Sequence, residues 1–402
     1  MPVIKLDLLQ TLSLAAVVYF AGIVLRQRVR WIDRLNIPAA VIGGLLFTAL
    51  TTLAHNRWFA VQLETVAQPV LSVAFFTSIG MGASLALLRR GGVQLVVFLI
   101  FATLFCFVQN FVGIGIARAF GEHPLLGVMA GSVTLVGGPA TGQAFAPLFA
   151  DAGLAGAGAI ALAAATVGIV CGGLTGGPVA TRLIRRFNLR PETRSQAELE
   201  SEVAPEPVTI VVDVDQEDNA ILRNLVFLAV AMGLGSLVSR YITSLGVTLP
   251  AYIGAMLVAS LMRNLDDVTR RLRLDLRAME FVGNVALNIF LVVALMDLKL
   301  WQISDLALPL VVILAVQVVI VALFALTVSF LLMGRDYDSA VMSGGFVGFV
   351  LGTTANAVAN MQALVRRFGP APRAFLIVPL VGAFFIDFTN AIVITLFVNW
   401  FK

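Results

Sequence analysis

The chain has 402 residues, 59% of them hydrophobic and 12% charged, with a mean hydropathy of +0.96. Soluble domains carry about 25% charged residues, so this composition excludes an ordinary soluble enzyme and points to a polytopic membrane protein. The net charge of +4 does not argue for nucleic acid, because the basic residues cluster at the ends of apolar runs. Cys106 and Cys171 both lie inside such runs and read as small packing residues, not as a disulfide or a metal pair.

A spanning helix needs about 20 apolar residues. Apolar runs predict spans at roughly 8–25, 37–54, 66–88, 93–118 and 155–181, then at roughly 220–239, 249–262, 279–297, 306–333 and 374–398. The first run leads into further spans, so it reads as a retained helix and not as a cleaved signal peptide. Between the fourth and fifth span of each half lies a segment too rich in Gly, Ser and Thr for a straight span. These are Met129 to Ala144, MAGSVTLVGGPATGQA, and Met342 to Ala357, MSGGFVGFVLGTTANA. Broken backbone inside a bilayer is tolerated only where it is buried in protein or lines a cavity, so each segment is expected to be a re-entrant hairpin.

The second half echoes the first at an offset of about 212 to 214 residues. Asn36-Ile-Pro-Ala-Ala-Val-Ile-Gly-Gly resembles Thr248-Leu-Pro-Ala-Tyr-Ile-Gly-Ala, both third spans end in Leu-x-Leu, and the glycine segments follow in the same order. The expected fold is therefore all-α, an inverted repeat of two five-span halves. The first half covers 1–187 with a hairpin at about 124–150, and the second covers 220–402 with a hairpin at about 339–368. Residues 188–219 read as a linker, with the acidic run Glu198, Glu200 and Glu202 and a short strand at 208–214. Placing both termini outside and the linker in the cytoplasm puts 21 of the 27 basic residues on the cytoplasmic side.

Ionisable groups within spans are functional candidates by default. Asp387 lies near the middle of the last span, and Asn390 falls on the same helical side three residues on. Asp387 is expected to be a counter-charge for a substrate ammonium or a cation. Asn284 and Asn288 suit helix packing as well as ligand binding, whereas Gln109, Asn110 and Gln317 read mainly as helix glue. His55 and His123 fall in loops without further ligands, so no metal other than sodium is expected. The hairpins offer Ser132, Thr134, Gly138 and Thr141, then Gly352, Thr353, Thr354, Asn356 and Asn360. Helix N-termini at such tips attract carboxylates, and unwound carbonyls and hydroxyls suit Na⁺. Together with Asp387 and Asn390 these residues form the candidate substrate site, with Gly137, Thr353, Asn360 and Asp387 as candidate sodium ligands.

The runs GSVTLVGGPATGQAF, LKLWQISDLALPLVVILAVQ, LGTTANAVANMQALVRRFGP and AFLIVPLVGAFFIDFTNAIVI resemble the bacterial sodium/glutamate symporters. The likeness covers nearly the whole chain and is densest from Leu291 onward. It implies a homodimer in the bacterial inner membrane, an elevator-like motion of a transport domain against a scaffold, and sodium-coupled uptake of L-glutamate. The chain departs from the family's pattern at Ala39, at Pro139-Ala140, and at Val350 and Ala355. Those changes leave the architecture untouched but fall where substrate is chosen. No buried Arg offers itself for a side-chain carboxylate. Either the hairpin dipoles hold it, or Arg366 or Arg373 reaches in, or the substrate is not a dicarboxylate. A sodium- or proton-coupled carrier or exporter of another small carboxylate or amino acid is the alternative. A channel would need repeated charged rings, and an intramembrane enzyme a His or paired-Asp constellation within the spans.

Overall fold

The computed structural model describes residues 3–29, 37–54, 60–90, 92–191, 214–272, 274–299 and 306–401. The first half runs β1 (Val3–Leu6), α1 (Leu8–Arg28), α2 (Ala39–Ala54), β2 (Ala60–Leu63), α3 (Ala67–Gly82), α4 (Leu85–Arg90), α5 (Gly92–Ala119), α6 (Pro124–Val128), α7 (Gly138–Asp151) and α8 (Ala157–Arg186). The second runs α9 (Val214–Ser244), α10 (Ala251–Thr269), α11 (Leu276–Met296), α12 (Ala307–Phe324), α13 (Tyr337–Leu351), α14 (Thr354–Phe368), α15 (Pro372–Leu380) and α16 (Ile386–Phe401). Wide π-helical turns extend α6 over Met129–Val133, extend α12 over Ala325–Ser329, and join α15 to α16 over Val381–Phe385.

Among the described residues six helices are long and apolar enough to cross a membrane, and α15 and α16, bent by 43° at their junction, make a seventh if they are one span. The shorter α2 and α3 have 16 residues each. The third predicted span ends early, at Gly82 instead of residue 88, because Ser84 starts a new helix: its hydroxyl accepts from Leu87 N at 3.3 Å, and Asn264 Oδ1 accepts from Leu85 N at 2.8 Å. The all-α expectation has one exception, a parallel pair in which Val3–Leu6 lies beside Ala60–Leu63. The acidic run of the expected linker lies outside the described residues, as does the expected strand except for Val214, which opens α9. Both cysteines are free thiols.

Two sets of helices pack differently. In the first, α1 lies on α2 and α9 lies on α10, while α2 meets α11 and α10 meets α3. Glycine permits the closest approaches. A Cβ on Gly22 or on Gly43 would run into the other's helix backbone, and Gly235 and Gly254 repeat that relation between α9 and α10. In the second set, α5, α12 and α13 share a cluster of phenylalanines, with Phe105 and Phe324 centred 4.5 Å apart and Phe105 and Phe346 5.5 Å apart. Along α8, Gly168, Gly172 and Gly176 line one face at intervals of one turn and let α13 lie against them. A Cβ on Gly168 would strike the Leu351 carbonyl, and one on Gly172 would lie 3.2 Å from the Gly348 carbonyl oxygen. This second set carries the two broken segments.

Candidate functional site

Each break has a local cause. In the first, the π turn at Met129–Val133 shifts the helical register, and Gly131 leaves helical geometry with φ −102° and ψ −128°. Gly138 then takes φ +67°, a left-handed conformation in which a side chain is disfavoured. Pro139 follows, fixing the first turn of α7. In the second, Gly352 (φ −146°, ψ −100°) ends α13, and Thr353 caps α14 by accepting from Asn356 N at 3.4 Å.

The two breaks meet. A Cβ on Gly138 would lie 3.6 Å from the Gly352 carbonyl oxygen and 3.7 Å from Thr353 Cγ2. The N-termini of α7 and α14 therefore converge, and each brings backbone N–H groups with no partner in its own helix. Thr141 lies behind the first break, so close to Gly137 that no side chain would fit there. Thr354 donates to the Gly382 carbonyl at 2.6 Å, which ties the second break to the π turn before α16.

Polar side chains surround the meeting point. Asn110 Oδ1 accepts from Ser132 N at 2.9 Å, and Asn390 donates to the Ser132 carbonyl at 2.9 Å. Gln317 donates to the Gln109 carbonyl at 2.7 Å, and Gln109 donates to the Val350 carbonyl at 3.4 Å. Neighbouring residues of α5 thus hold both broken segments, Asn110 the first and Gln109 the second. Buried polar atoms normally find partners, because leaving one unpaired costs about 1–3 kcal/mol. Here Asn110 Nδ2, Ser132 Oγ, Asn390 Oδ1, Gln109 Oε1, Gln317 Oε1 and Asn356 Oδ1 are all buried and unpartnered. Polar capacity is concentrated where the breaks cross α5, α12 and α16.

Other candidates are committed elsewhere. Thr134 donates to the Met129 carbonyl at 2.7 Å. Asn356 donates to the Ile169 carbonyl at 2.8 Å, and Asn360 to the Gly172 carbonyl at 2.9 Å, so both amides fasten α14 to α8. Arg373 donates to both carboxylate oxygens of Asp336, at the far end of α13, and so does not reach the breaks. Arg366 lies twelve residues beyond the start of α14, about 18 Å along the helix. Asn288 donates to the Asn284 carbonyl at 2.8 Å, within α11.

Asp387 is half-buried, and among the described residues its carboxylate has no hydrogen-bond or ion-pair partner. It follows Gly382, which binds Thr354 of the second segment, and precedes Asn390, which binds Ser132 of the first. The carboxylate thus sits on the helix that touches both. Gln109, Asn110 and Gln317, read from the sequence as helix glue, make bonds of that kind between elements. Their signal in the sequence is an adjacent Gln-Asn pair within the otherwise apolar FATLFCFVQNFVGIG, which does not say which segments they hold.

Helices apolar enough to cross a bilayer, packed around two shorter broken segments that meet in the protein interior, define a multi-pass membrane protein built to pass a solute. The sodium/glutamate symporter family model matches residues 4–370. The sodium/glutamate symporter of Escherichia coli (strain K12) is 38% identical over 394 residues, covering 98% of this chain and 97% of its own. That of Haemophilus influenzae (strain ATCC 51907 / DSM 11121 / KW20 / Rd) is 38% identical over 384 residues, covering 95% of each chain. The chain belongs to the sodium/glutamate symporter family.

Proposed function

We propose that this protein is a bacterial inner-membrane symporter that couples Na⁺ entry to uptake of L-glutamate by alternating access. The observation that carries this reading is the contact between Gly138 of one break and Gly352 and Thr353 of the other, with Asp387 lying in sequence between Gly382 and Asn390, which bond to the second and the first broken segment. The converging N-termini of α7 and α14 suit the two carboxylates of glutamate. Thr353 and Thr354 supply hydroxyls at the rim. Asp387 balances the ammonium or a sodium ion, and Asn390 fixes Ser132 behind it. Gly137 and Thr353 offer a carbonyl and a hydroxyl to the cation, while Asn360 acts through its hold on α8. No arginine is needed for the side-chain carboxylate, which the helix N-termini hold instead.

The two segments are read as re-entrant hairpins of an inverted repeat. Supporting this are the matched glycine pairs, Gly22 with Gly43 and Gly235 with Gly254, and the crossed packing of α2 on α11 and α10 on α3. The set α1–α3 and α9–α11 then serves as scaffold. The set with α5, α8, α12, α16 and both hairpins serves as the moving transport domain, in a homodimer with cytoplasmic linker and periplasmic termini. The test is uptake by purified protein in proteoliposomes under imposed gradients. A sodium gradient should drive accumulation of L-glutamate and a proton gradient alone should not. Accumulation of another carboxylate or amino acid in preference to glutamate, or accumulation driven by protons alone, would overturn the reading.

A further inference from the structure

Away from the meeting point, a cavity of about 790 Å³ opens between the last turns of α8 and α14 and the π turn of α12. Its wall is mainly apolar, formed by such residues as Pro178, Leu326 and Leu364, yet Arg182, Arg185 and Arg367 also line it. None of its lining residues is acidic. Among the described residues none of these three arginines forms an ion pair; Arg367 rests over the Phe368 ring, 5.2 Å from its centroid. Arg182 and Arg185 are three residues apart, on one face of α8. Leu174 and Leu323, on the same helices, are 61% and 56% accessible and continue the apolar wall outward.

We propose that this cavity binds an anionic phospholipid, with its phosphate on the three arginines and the start of an acyl chain along the apolar wall. A soluble anion would satisfy the arginines but leave that wall wet, whereas a lipid matches both parts of the surface. Guanidinium groups bind phosphate through paired hydrogen bonds, and basic pockets between helices at a membrane surface select anionic headgroups. The occupant would touch α8, α12 and α14 at once, all of them joined to the second broken segment. Lipid binding would then brace the helices that hold that segment.

Native mass spectrometry of the full chain, delipidated in detergent and titrated with phosphatidylglycerol, tests this. One phosphatidylglycerol should be retained in preference to phosphatidylcholine, and millimolar inorganic phosphate or glutamate should not displace it. Retention should weaken about fivefold for each arginine changed to Gln and about 100-fold in R182Q/R185Q/R367Q. It should be unchanged in R277Q, which removes a basic residue from α11. Should the triple variant fail to fold, Ala363→Trp fills the cavity instead and should abolish retention. Equal retention by the triple or the Trp variant, equal binding of phosphatidylcholine, or displacement by phosphate or glutamate would overturn the proposal. The last result would make the cavity a site for soluble anions.

Discussion

Gly138 is where the geometry makes its sharpest demand. Its φ of +67° disfavours any side chain, at about 1–2 kcal/mol for an ordinary residue. The space beside it is a separate matter. A Cβ would meet Gly352 O at 3.6 Å and Thr353 Cγ2 at 3.7 Å, ordinary van der Waals distances. Gly138→Ala therefore fits and carries only the backbone cost, which lowers the population of the working tip by about 5- to 30-fold. Gly138→Leu adds three more heavy atoms beyond Cβ to a gap already closed at contact distance. Overpacking costs about 1–3 kcal/mol, so the total of about 2–5 kcal/mol lowers that population by about 30-fold to several thousandfold. Sodium-driven glutamate uptake in proteoliposomes, normalised to protein that elutes as a single species, should fall partly for Ala and nearly completely for Leu. Wild-type uptake by Gly138→Leu would refute the contact between the two breaks as a working element. An equal loss for both variants would show that backbone strain alone is decisive.

Asp387→Asn should abolish sodium-coupled uptake while the protein stays folded, since removing the charge deletes an interaction typically worth about 1.5–3 kcal/mol; unchanged sodium dependence in uptake assays would remove Asp387 from the site. Asn110→Leu frees Ser132 N and should cost about 1–3 kcal/mol, read as a lower melting temperature together with weaker glutamate uptake, whereas an unaltered protein would mean that the amide pair on α5 is incidental. Asp336 caps α13, and Asp336→Ala should cost about 1 kcal/mol of thermal stability. Burial raises the Asp336 carboxyl, but hydrogen bonds from Ser339 and Arg373 outweigh it and hold the group below the usual carboxylate range. The stabilisation is thus present above about pH 4 and is lost as pH falls through the lowered value, so wild type and variant should melt alike only in acid.

Much of this organisation is legible in the sequence because a bilayer imposes length and polarity on each element. The apolar runs locate the helices to within a few residues, and GG-P and G-TT mark the breaks, since Gly138 takes a left-handed φ and a Cβ on Gly352 would lie 2.5 Å from Asn356 Nδ2. The partners of the polar groups are not legible. Gln109 and Asn110 each reach a different broken segment, across 241 residues in the case of Val350 and 22 in the case of Ser132. Nothing local to FVQNF specifies such distant acceptors. Asn360 reads as a ligand because it follows a break, yet its amide binds the carbonyl of Gly172 and fits there because Gly176, one turn further along α8, has no side chain in the way. Arg373 looked able to reach the substrate until its carboxylate partner Asp336, 37 residues earlier, came into view. The β1–β2 pair escaped for the same reason: four-residue strands separated by two helices carry almost no local signal.

The central claim is that the two breaks form one solute site, and cross-linking between them tests it most directly. In G138C/T353C, with the two native cysteines changed to alanine, the paired side chains start from positions in van der Waals contact. Mild oxidation should join them within one chain, detected as a linked peptide after proteolysis. Glutamate with Na⁺ should slow the reaction, while neither glutamate in choline buffer nor Na⁺ alone should slow it as much. Failure to cross-link, or a rate indifferent to glutamate and Na⁺ together, would contradict a shared site at the meeting of the two breaks.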